Sequence, residues 1–126
     1  MGNLVLIADD DHDIVRFLAL NLRLEGFEVV VANDGQDALD KALDARPSLI
    51  LLDTMMPRMD GYEVCSRLRD ERPEARIPVI MLTAKSMEAD RSMAYTAGAD
   101  DWVTKPFDLA DLVSKVKNHL RPRARR

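Results

Sequence analysis

The chain has 126 residues, a formal net charge of −4, 47% hydrophobic residues and 32% charged residues. This length and composition predict one folded domain and exclude a disordered protein. No apolar run approaches the roughly 20 residues of a membrane-spanning helix, so we expect a cytoplasmic protein that does not bind membranes. The single cysteine, Cys65, excludes an internal disulfide and is interpreted as a reduced structural thiol.

Five short apolar segments predict β-strands, because each is rich in aliphatic or β-branched residues and bounded by turn residues. They are residues 4–8, 27–32, 49–53, 77–83 and 102–104. Apolar residues at helical spacing predict helices over 14–24, around 39–43 with an end before Pro47, over 62–72, over 87–97, and from Leu109 to Leu120.

Alternating strands and helices with short connections predict an α/β fold. We expect a doubly wound, five-stranded parallel sheet of flavodoxin-like type, with strand order 2-1-3-4-5 and helices on both faces. This domain is expected to span residues 1–120. The basic residues 121–126 are either a phosphate-seeking arm for nucleic acid or a linker stub. We favour the linker, because no aromatic residues accompany the arginines to stack on bases, and we expect no direct nucleic-acid binding by the domain.

The fourth predicted helix has the weakest apolar side. Its inward candidates are Met93, Ala94 and Ala97, with no Leu, Ile or Phe. We therefore expect it to be among the least stable elements. The same periodicity places Phe17 on the buried side of the first helix, and either Asp11 or Asp13 is expected to cap that helix.

Charged and hydroxyl side chains follow the predicted strands at one edge of the sheet. Asp9 and Asp10 follow strand one, Asp53 ends strand three, Thr83 ends strand four and Lys105 follows strand five. The carboxyl ends of parallel strands share one edge, and with the order 2-1-3-4-5 strands one and three lie side by side, so these groups are expected to meet in one crevice. Three carboxylates so close repel one another unless a hard cation lies among them, which predicts a Mg²⁺ site, with Mn²⁺ as an alternative.

The predicted crevice favours phosphoryl chemistry. A carboxylate beside Mg²⁺ is suited to attack phosphorus and form an acyl phosphate. Lys105 would neutralise charge on the phosphoryl oxygens, and Thr83 would donate a hydrogen bond. The chain has no Gly-x-x-x-x-Gly-Lys loop to bind a nucleotide, so the phosphoryl donor is expected to be a separate molecule.

These motifs resemble the receiver domain of bacterial two-component response regulators, over residues 3 to about 120. The likeness is carried by Asp9-Asp10, Asp53 with Met56-Pro57 and Asp60-Gly61, Thr83-Ala84, and Lys105-Pro106-Phe107. The resemblance implies that Asp53 accepts a phosphoryl group from a histidine kinase. It implies Mg²⁺ held by Asp10, Asp53 and the backbone carbonyl of Met55, with Asp9 acting through water. Such a domain is not an enzyme, although it assists its own phosphorylation and dephosphorylation.

The resemblance also implies a conformational switch. Thr83 moves toward the phosphoryl group, Trp102 changes rotamer with it, and the fourth helix is the bistable element. The alternative for Trp102 is simple packing between strand five and helix four. Met55, Ala84 and Lys85 hold the positions that flank the phosphoryl group. Because the Met55 side chain cannot orient an attacking water, we expect slow self-dephosphorylation.

A second functional surface is expected on helix four, strand five and helix five. Its charged residues match the dimer contacts of the OmpR/PhoB transcription-factor type: Arg91, Asp100, Asp101, Asp111 and Lys115. For Asp111 and Lys115 the alternative is an ion pair on the helix surface. His12 and His119 have no partner at ligand spacing and are interpreted as exposed bystanders.

The sequence therefore predicts a response regulator receiver that controls transcription through a C-terminal DNA-binding domain. The alternative is a stand-alone receiver that acts by protein–protein contact or as a phosphorelay intermediate. A Mg-dependent aspartyl phosphatase would need a second acid two residues after the nucleophile, where Met55 lies. A flavodoxin-like electron carrier is disfavoured because Asp9, Asp10 and Asp11 would repel a flavin phosphate.

Overall fold

Five parallel strands form a single sheet in the computed structural model, which describes residues 3–73, 76–84 and 88–120, without the side chains of 88–91. The strands are β1 Leu4–Ala8, β2 Glu28–Ala32, β3 Leu49–Asp53, β4 Val79–Thr83 and β5 Asp101–Thr104. The helices are α1 His12–Leu24, α2 Gly35–Ala45, α3 Gly61–Glu71, α4 Glu88–Ala97 and α5 Leu109–Leu120. The strand order β2-β1-β3-β4-β5 confirms the predicted fold and topology. The basic tail at 121–126 lies outside the described residues.

The strands are buried on both faces, because helices cover both sides of the sheet. One core lies under α1 and α5, where Leu18 and Val116 pack on alternate strand residues such as Ile7 and Leu51. The other lies under α2, α3 and α4. This double cover explains why β3 and β4 are continuous apolar runs along most of their length, rather than strands in which apolar and polar residues alternate.

The register of the strands aligns their carboxyl ends. Ala8 is paired with Leu52, so the next residue, Asp9, lies level with Asp53. On the other side, Asp53 is paired with Leu82, and Thr83 is paired with Thr104. The strand-end residues of β1, β3, β4 and β5 therefore converge on one edge of the sheet.

Aspartates begin three of the helices as N-caps. Asp11 accepts from the backbone N–H groups of Asp13 and Ile14 and starts α1, so Asp11 is the cap and Asp13 lies in the first turn. Asp34 caps α2 and Asp60 caps α3 in the same way. Each cap stops the preceding loop at a defined residue close to the carboxyl edge of the sheet.

Two predicted core residues are exposed instead. Phe17 is 48% exposed, because the buried side of α1 consists of Val15, Leu18, Ala19 and Leu22, one position away from the predicted stripe. Met93 is 51% exposed, while the adjacent Ala94 is buried in the core and Ala97 packs against it, partly buried. The low stability expected for α4 stays a prediction.

Candidate functional site

Three carboxylates meet at the carboxyl edge of the sheet. Asp9, Asp10 and Asp53 each offer one oxygen, and these oxygens lie within 4.8 Å of one another. Asp9 is fully buried and Asp53 is 4% exposed, whereas Asp10 is exposed at the rim. Hard oxygen donors of this kind, with one open side, fit a divalent cation such as Mg²⁺. The chain therefore holds a cluster that could bind a metal.

Lys105 lies between two of these carboxylates. Its Nζ is 2.8 Å from Oδ2 of Asp9 and 3.4 Å from Oδ1 of Asp53. Its backbone N–H donates to the carbonyl of Thr83, at the end of β4. Burial alone would lower the pKa of Lys105, but the hydrogen bond to Asp9 and the charges of Asp9 and Asp53 raise it. Its ammonium is therefore held charged inside the cluster.

The surroundings of Asp53 disfavour the ionised form of its carboxyl group. Burial, and next the Asp9 carboxylate, raise the pKa of Asp53 from 3.8 to about 6, although Lys105 and the N–H of Met55 act in the opposite direction. One lysine thus does not compensate fully for two buried carboxylates. An additional positive charge would relieve the repulsion, which is the electrostatic reason that the cluster fits a cation.

The loop after β3 returns to the site. The N–H of Met55 lies 3.3 Å from Oδ1 of Asp53, and the N–H of Gly61 donates to the carbonyl of Thr54 at 3.1 Å. A Cβ on Gly61 would overlap the backbone carbonyl of Asp53, so only glycine fits there. The Met55 side chain is 73% exposed. The loop therefore places a backbone segment, rather than a methionine side chain, against the carboxylate.

The predicted switch residues lie on adjoining strands. Thr83 is 6% exposed at the end of β4, and Ala84 is exposed directly after it. Lys85, the other flanking residue, lies outside the described residues. Trp102 is partly buried, and its ring meets Tyr95 of α4 edge to face at 5.2 Å between centroids. This contact is the packing between β5 and α4 named as the alternative for Trp102, and its switching role stays a prediction.

Asp101, the first residue of β5, contacts two side chains of α5. Its carboxylate lies 3.4 Å from Nζ of Lys115 and 3.0 Å from Nε2 of His119, and it accepts the backbone N–H of Trp102. The interpretation of His119 as an exposed bystander was wrong, because the last turn of α5 packs it against β5. Lys115 contacts Asp101 rather than Asp111, which is exposed on α5.

The neighbouring Asp100 forms an ion pair with an arginine of α3. Its carboxylate accepts from Arg69 and from the backbone N–H of Val79, both at 2.9 Å. Arg69 also donates to the carbonyls of Gly98 and Ile77. This role of Arg69 was not predictable from the sequence, because an arginine that binds a neighbour from the last turn of a helix has the same sequence pattern as a solvated one. The side chain of Arg91, the remaining predicted interface residue, lies outside the described residues.

Among the helices of the described residues, none has the length and apolar character that crossing a bilayer requires.

The comparisons with known proteins agree with this fold. The sequence model of the response regulator receiver domain matches residues 5–117. The chain is 43% identical over 121 residues to the alkaline phosphatase synthesis transcriptional regulatory protein PhoP of Bacillus subtilis, covering 96% of this chain and 50% of that protein. The chain thus spans about half the length of this curated relative.

Solved structures show the same architecture. The receiver domain of Francisella response regulator 1452 superposes with a TM-score of 0.89 at 32% identity, covering 94% of this chain and 97% of that one. The chemotaxis protein CheY4 of Vibrio cholerae gives a TM-score of 0.89 at 32% identity, covering 95% of this chain and 100% of that one. With its carboxylate cluster at the sheet edge and a family match over most of its length, the chain belongs to the response regulator receiver domain family.

Proposed function

We propose that the protein is a phosphoacceptor whose Asp53 takes a phosphoryl group from a histidine kinase in a Mg²⁺-dependent reaction. The observation that carries this proposal is the position of Asp53. It is 4% exposed at a strand end, within 4.8 Å of oxygens of Asp9 and Asp10 and 3.4 Å from Nζ of Lys105. Its carboxylate is thus held among groups that can neutralise a phosphoryl group.

In the proposed reaction an oxygen of Asp53 attacks the phosphorus of phosphohistidine. The new O–P bond forms, the P–N bond breaks, and the electron pair of that bond returns to the imidazole nitrogen of the kinase. Lys105 already contacts Asp53, so its ammonium can bind a phosphoryl oxygen with little movement, and Thr83 supplies a hydroxyl donor. The protein assists this transfer and the later hydrolysis, but the kinase supplies the phosphoryl group.

The metal would be held by Asp10, Asp53 and the backbone carbonyl of Met55, with Asp9 acting through water. The exposure of Asp10 agrees with this assignment, since it leaves one side open for water and phosphoryl oxygens. When bound, Mg²⁺ supplies positive charge to the phosphoryl oxygens as negative charge builds up there.

Intact-mass analysis tests the proposal. With Mg²⁺ and acetyl phosphate the protein should gain the mass of one phosphoryl group, and Asp53→Asn should gain none. In parallel, the fluorescence of Trp102, the single tryptophan, should change when beryllofluoride is added with Mg²⁺. Asp70→Asn, at an exposed position on α3, is the matched control and should behave as wild type. No adduct at any Mg²⁺ concentration would contradict the proposal.

We further propose that the output is control of transcription in the cytoplasm, through a C-terminal DNA-binding domain of the OmpR/PhoB type. Support comes from the Bacillus subtilis relative, whose name describes a transcriptional regulatory protein and of which this chain matches half. The alternative, a stand-alone receiver that acts by protein contact or in a phosphorelay, is favoured by the match to CheY4 over the whole of that chain.

Activation is proposed to pair two copies through α4, β5 and α5. Sedimentation with and without beryllofluoride tests this, since the activated protein should become a dimer and Asp111→Lys should weaken it. Asp111 suits this test because its side chain is exposed, so the substitution costs the monomer little stability. A strict monomer in both states would count against the dimer and would leave the phosphoacceptor proposal standing.

A further inference from the structure

The N-terminus of α2 is in direct contact with the acceptor loop, residues 54–60, which follows Asp53. The backbone N–H of Gly35 lies 3.3 Å from the carbonyl oxygen of Pro57. A Cβ added to Gly35 would overlap the carbonyl of Met59. Helix and loop therefore meet backbone to backbone, at a separation that only glycine permits.

A charge pair joins the same two segments. Nε of Arg58 in the acceptor loop lies 3.2 Å from Oδ2 of Asp34. Arg58 has a left-handed backbone with φ 73°, which costs energy in a residue with a side chain. Asp34 is itself fixed, because it caps α2 by accepting the N–H of Asp37 at 2.8 Å. The Arg58 side chain is 73% exposed, so this pair is a surface contact that joins the loop to a fixed partner.

The acceptor loop also has an apolar anchor on this side. Met59 is 7% exposed and belongs to the core that contains Ala38 and Leu39 of α2. Its N–H donates to the carbonyl of Pro57 at 2.8 Å, which tightens the turn around Arg58. Three different contacts, a backbone bond, an ion pair and a buried side chain, therefore fix the loop to α2.

Both ends of the acceptor loop lie at the site, whereas α2 contacts its middle, residues 57–59. The N–H of Met55 faces Asp53 at 3.3 Å, and the bond from Gly61 to Thr54 closes the loop next to the carboxylate. In a short loop held both at its ends and in its middle, a displacement of the middle is transmitted to the ends. The contact with α2 therefore bears on where the backbone of Met55 lies.

We propose that Gly35 and Asp34 are positioning residues for Asp53: they fix the acceptor loop and thereby the metal and phosphoryl geometry at the carboxylate. This inference rests on the proposed phosphoacceptor function. Neither residue belongs to the carboxylate cluster, and α2 contributes no member of it. The effect is exerted through the loop, and misplacement of reacting groups by about 1 Å can slow a reaction about 100-fold.

Gly35→Ala and Gly26→Ala form a matched pair that tests the inference. Gly26, in the turn between α1 and β2, has φ 97° but open space where a Cβ would lie. Its replacement adds backbone strain without a clash at the acceptor loop. We expect Gly35→Ala to slow phosphorylation by acetyl phosphate about 10-fold or more and to weaken Mg²⁺ binding several-fold, whereas Gly26→Ala changes both by less than about twofold. Equal rates for wild type and folded Gly35→Ala would overturn the proposal.

Asp34→Asn covers the case in which Gly35→Ala does not fold. Asparagine is an equally good cap, so α2 keeps its start while the charge pair with Arg58 is lost. We expect a slower phosphorylation rate with a nearly unchanged melting temperature, a combination that a merely structural role would not give. A wild-type rate in this variant would overturn the role of Asp34.

Amide chemical shifts separate this inference from the proposed function. Failure of wild type to take up a phosphoryl group would end the proposed function. The amides of Met55 and Gly61 would still report the loop's position: they should shift in Asp34→Asn and stay in place in Gly26→Ala. Unshifted Met55 and Gly61 amides in Asp34→Asn would overturn the positioning role whatever the outcome of phosphorylation.

Discussion

Nζ of Lys105 is 2.8 Å from the carboxylate of Asp9, a residue with no exposed surface. The lysine is closer to Asp9 than to the proposed phosphoacceptor, Asp53, at 3.4 Å. A single cation therefore bridges two buried carboxylates that lie side by side on neighbouring strands. This arrangement makes the site of the proposed reaction a point of weakness in the fold as well.

Lys105→Met should destabilise the protein in the absence of Mg²⁺ by about 2–4 kcal/mol, because it leaves the buried Asp9 charge without a partner. Asp9→Asn combined with Lys105→Met should cost less than the sum of the two single changes, since one buried carboxylate, Asp53, is then left without the lysine instead of two. Urea unfolding with a metal chelator present measures these free energies of unfolding. Lys117→Met removes the exposed pair with Glu25 and serves as the control, with an expected change below about 0.5 kcal/mol. Strict additivity in the double variant would contradict the bridging role of Lys105.

Asp53→Asn should stabilise the metal-free protein. Burial and the Asp9 charge raise the pKa of Asp53 to about 6, so at pH 8 folding must hold a carboxylate ionised against its environment. A folded-state pKa above the unfolded value of 3.8 means that the ionised group opposes folding at pH 8, and asparagine removes this cost, about 3 kcal/mol. Thermal unfolding at pH 8 with chelator measures the gain. Added Mg²⁺ should stabilise wild type and have little effect on Asp53→Asn, and an equal response of both proteins would contradict the metal site.

Asp101 should stabilise the fold in a pH-dependent manner. Burial acts to raise its pKa, but the hydrogen bonds from His119 and the N–H of Trp102, with the charge of Lys115, lower it below 3.8. Because the folded-state pKa is depressed, the stabilisation is fully present above the unfolded value and disappears as pH falls through the folded value. Asp101→Asn should therefore cost about 1 kcal/mol at pH 7 and progressively less below pH 3.8.

Urea unfolding of wild type and Asp101→Asn across this pH range checks the prediction. Asp111→Asn, at an exposed position on α5, is the control and should change stability little at any pH. A stability difference for Asp101→Asn that stays constant into strong acid would show that its carboxylate charge is not the source.

Cys65 should be inert in the folded protein. Burial is the main cause that raises the pKa of the thiol to about 11, with Arg69 acting to lower it and Asp100 to raise it, so little thiolate is present at neutral pH. Ellman's reagent should react with Cys65 only at the rate at which the chain opens, and immediately in urea. A fast stoichiometric reaction with the native protein would show that the thiol is accessible.

Met55→Asn should speed loss of the phosphoryl group from Asp53 severalfold. The Met55 side chain is 73% exposed beside the site and has no group that can orient an attacking water, whereas an asparagine amide can. Intact-mass measurements after removal of the phosphoryl donor give the rate. Met93→Asn, at another exposed methionine on α4, is the control and should keep the wild-type rate. No acceleration in Met55→Asn would remove the explanation of slow dephosphorylation by this side chain.

The sequence was sufficient for a parallel sheet, because doubly covered parallel strands are continuous apolar runs that alternate with helices. Alternation alone does not determine the strand order, since 2-1-3-4-5 is one of two common orders in doubly wound sheets. The sequence also located the edge at which Asp9, Asp10, Asp53 and Lys105 come together, since each follows the end of a strand. The sequence did not predict correctly which side of a helix is buried when two candidate sides differ by one residue position. Phe17 and Met93 each lie next to the stripe that the core accepts, and periodicity alone does not separate neighbouring stripes.

Tertiary structure decided the partners of charged residues, because the same side chain can meet solvent or a neighbour from a distant part of the chain. Asp101 faces His119 and Lys115 only after α5 packs across β5. Arg69 pairs with Asp100, which is 31 positions away in the sequence, and Arg58 pairs with Asp34 because of the fold of the acceptor loop. The sequence by itself thus determined which strand ends carry the clustered polar and charged side chains, through local patterns of apolar and acidic residues. Only the folded chain determined how Lys105 is shared between two carboxylates and how α2 meets the acceptor loop, because both depend on distances between segments far apart in sequence.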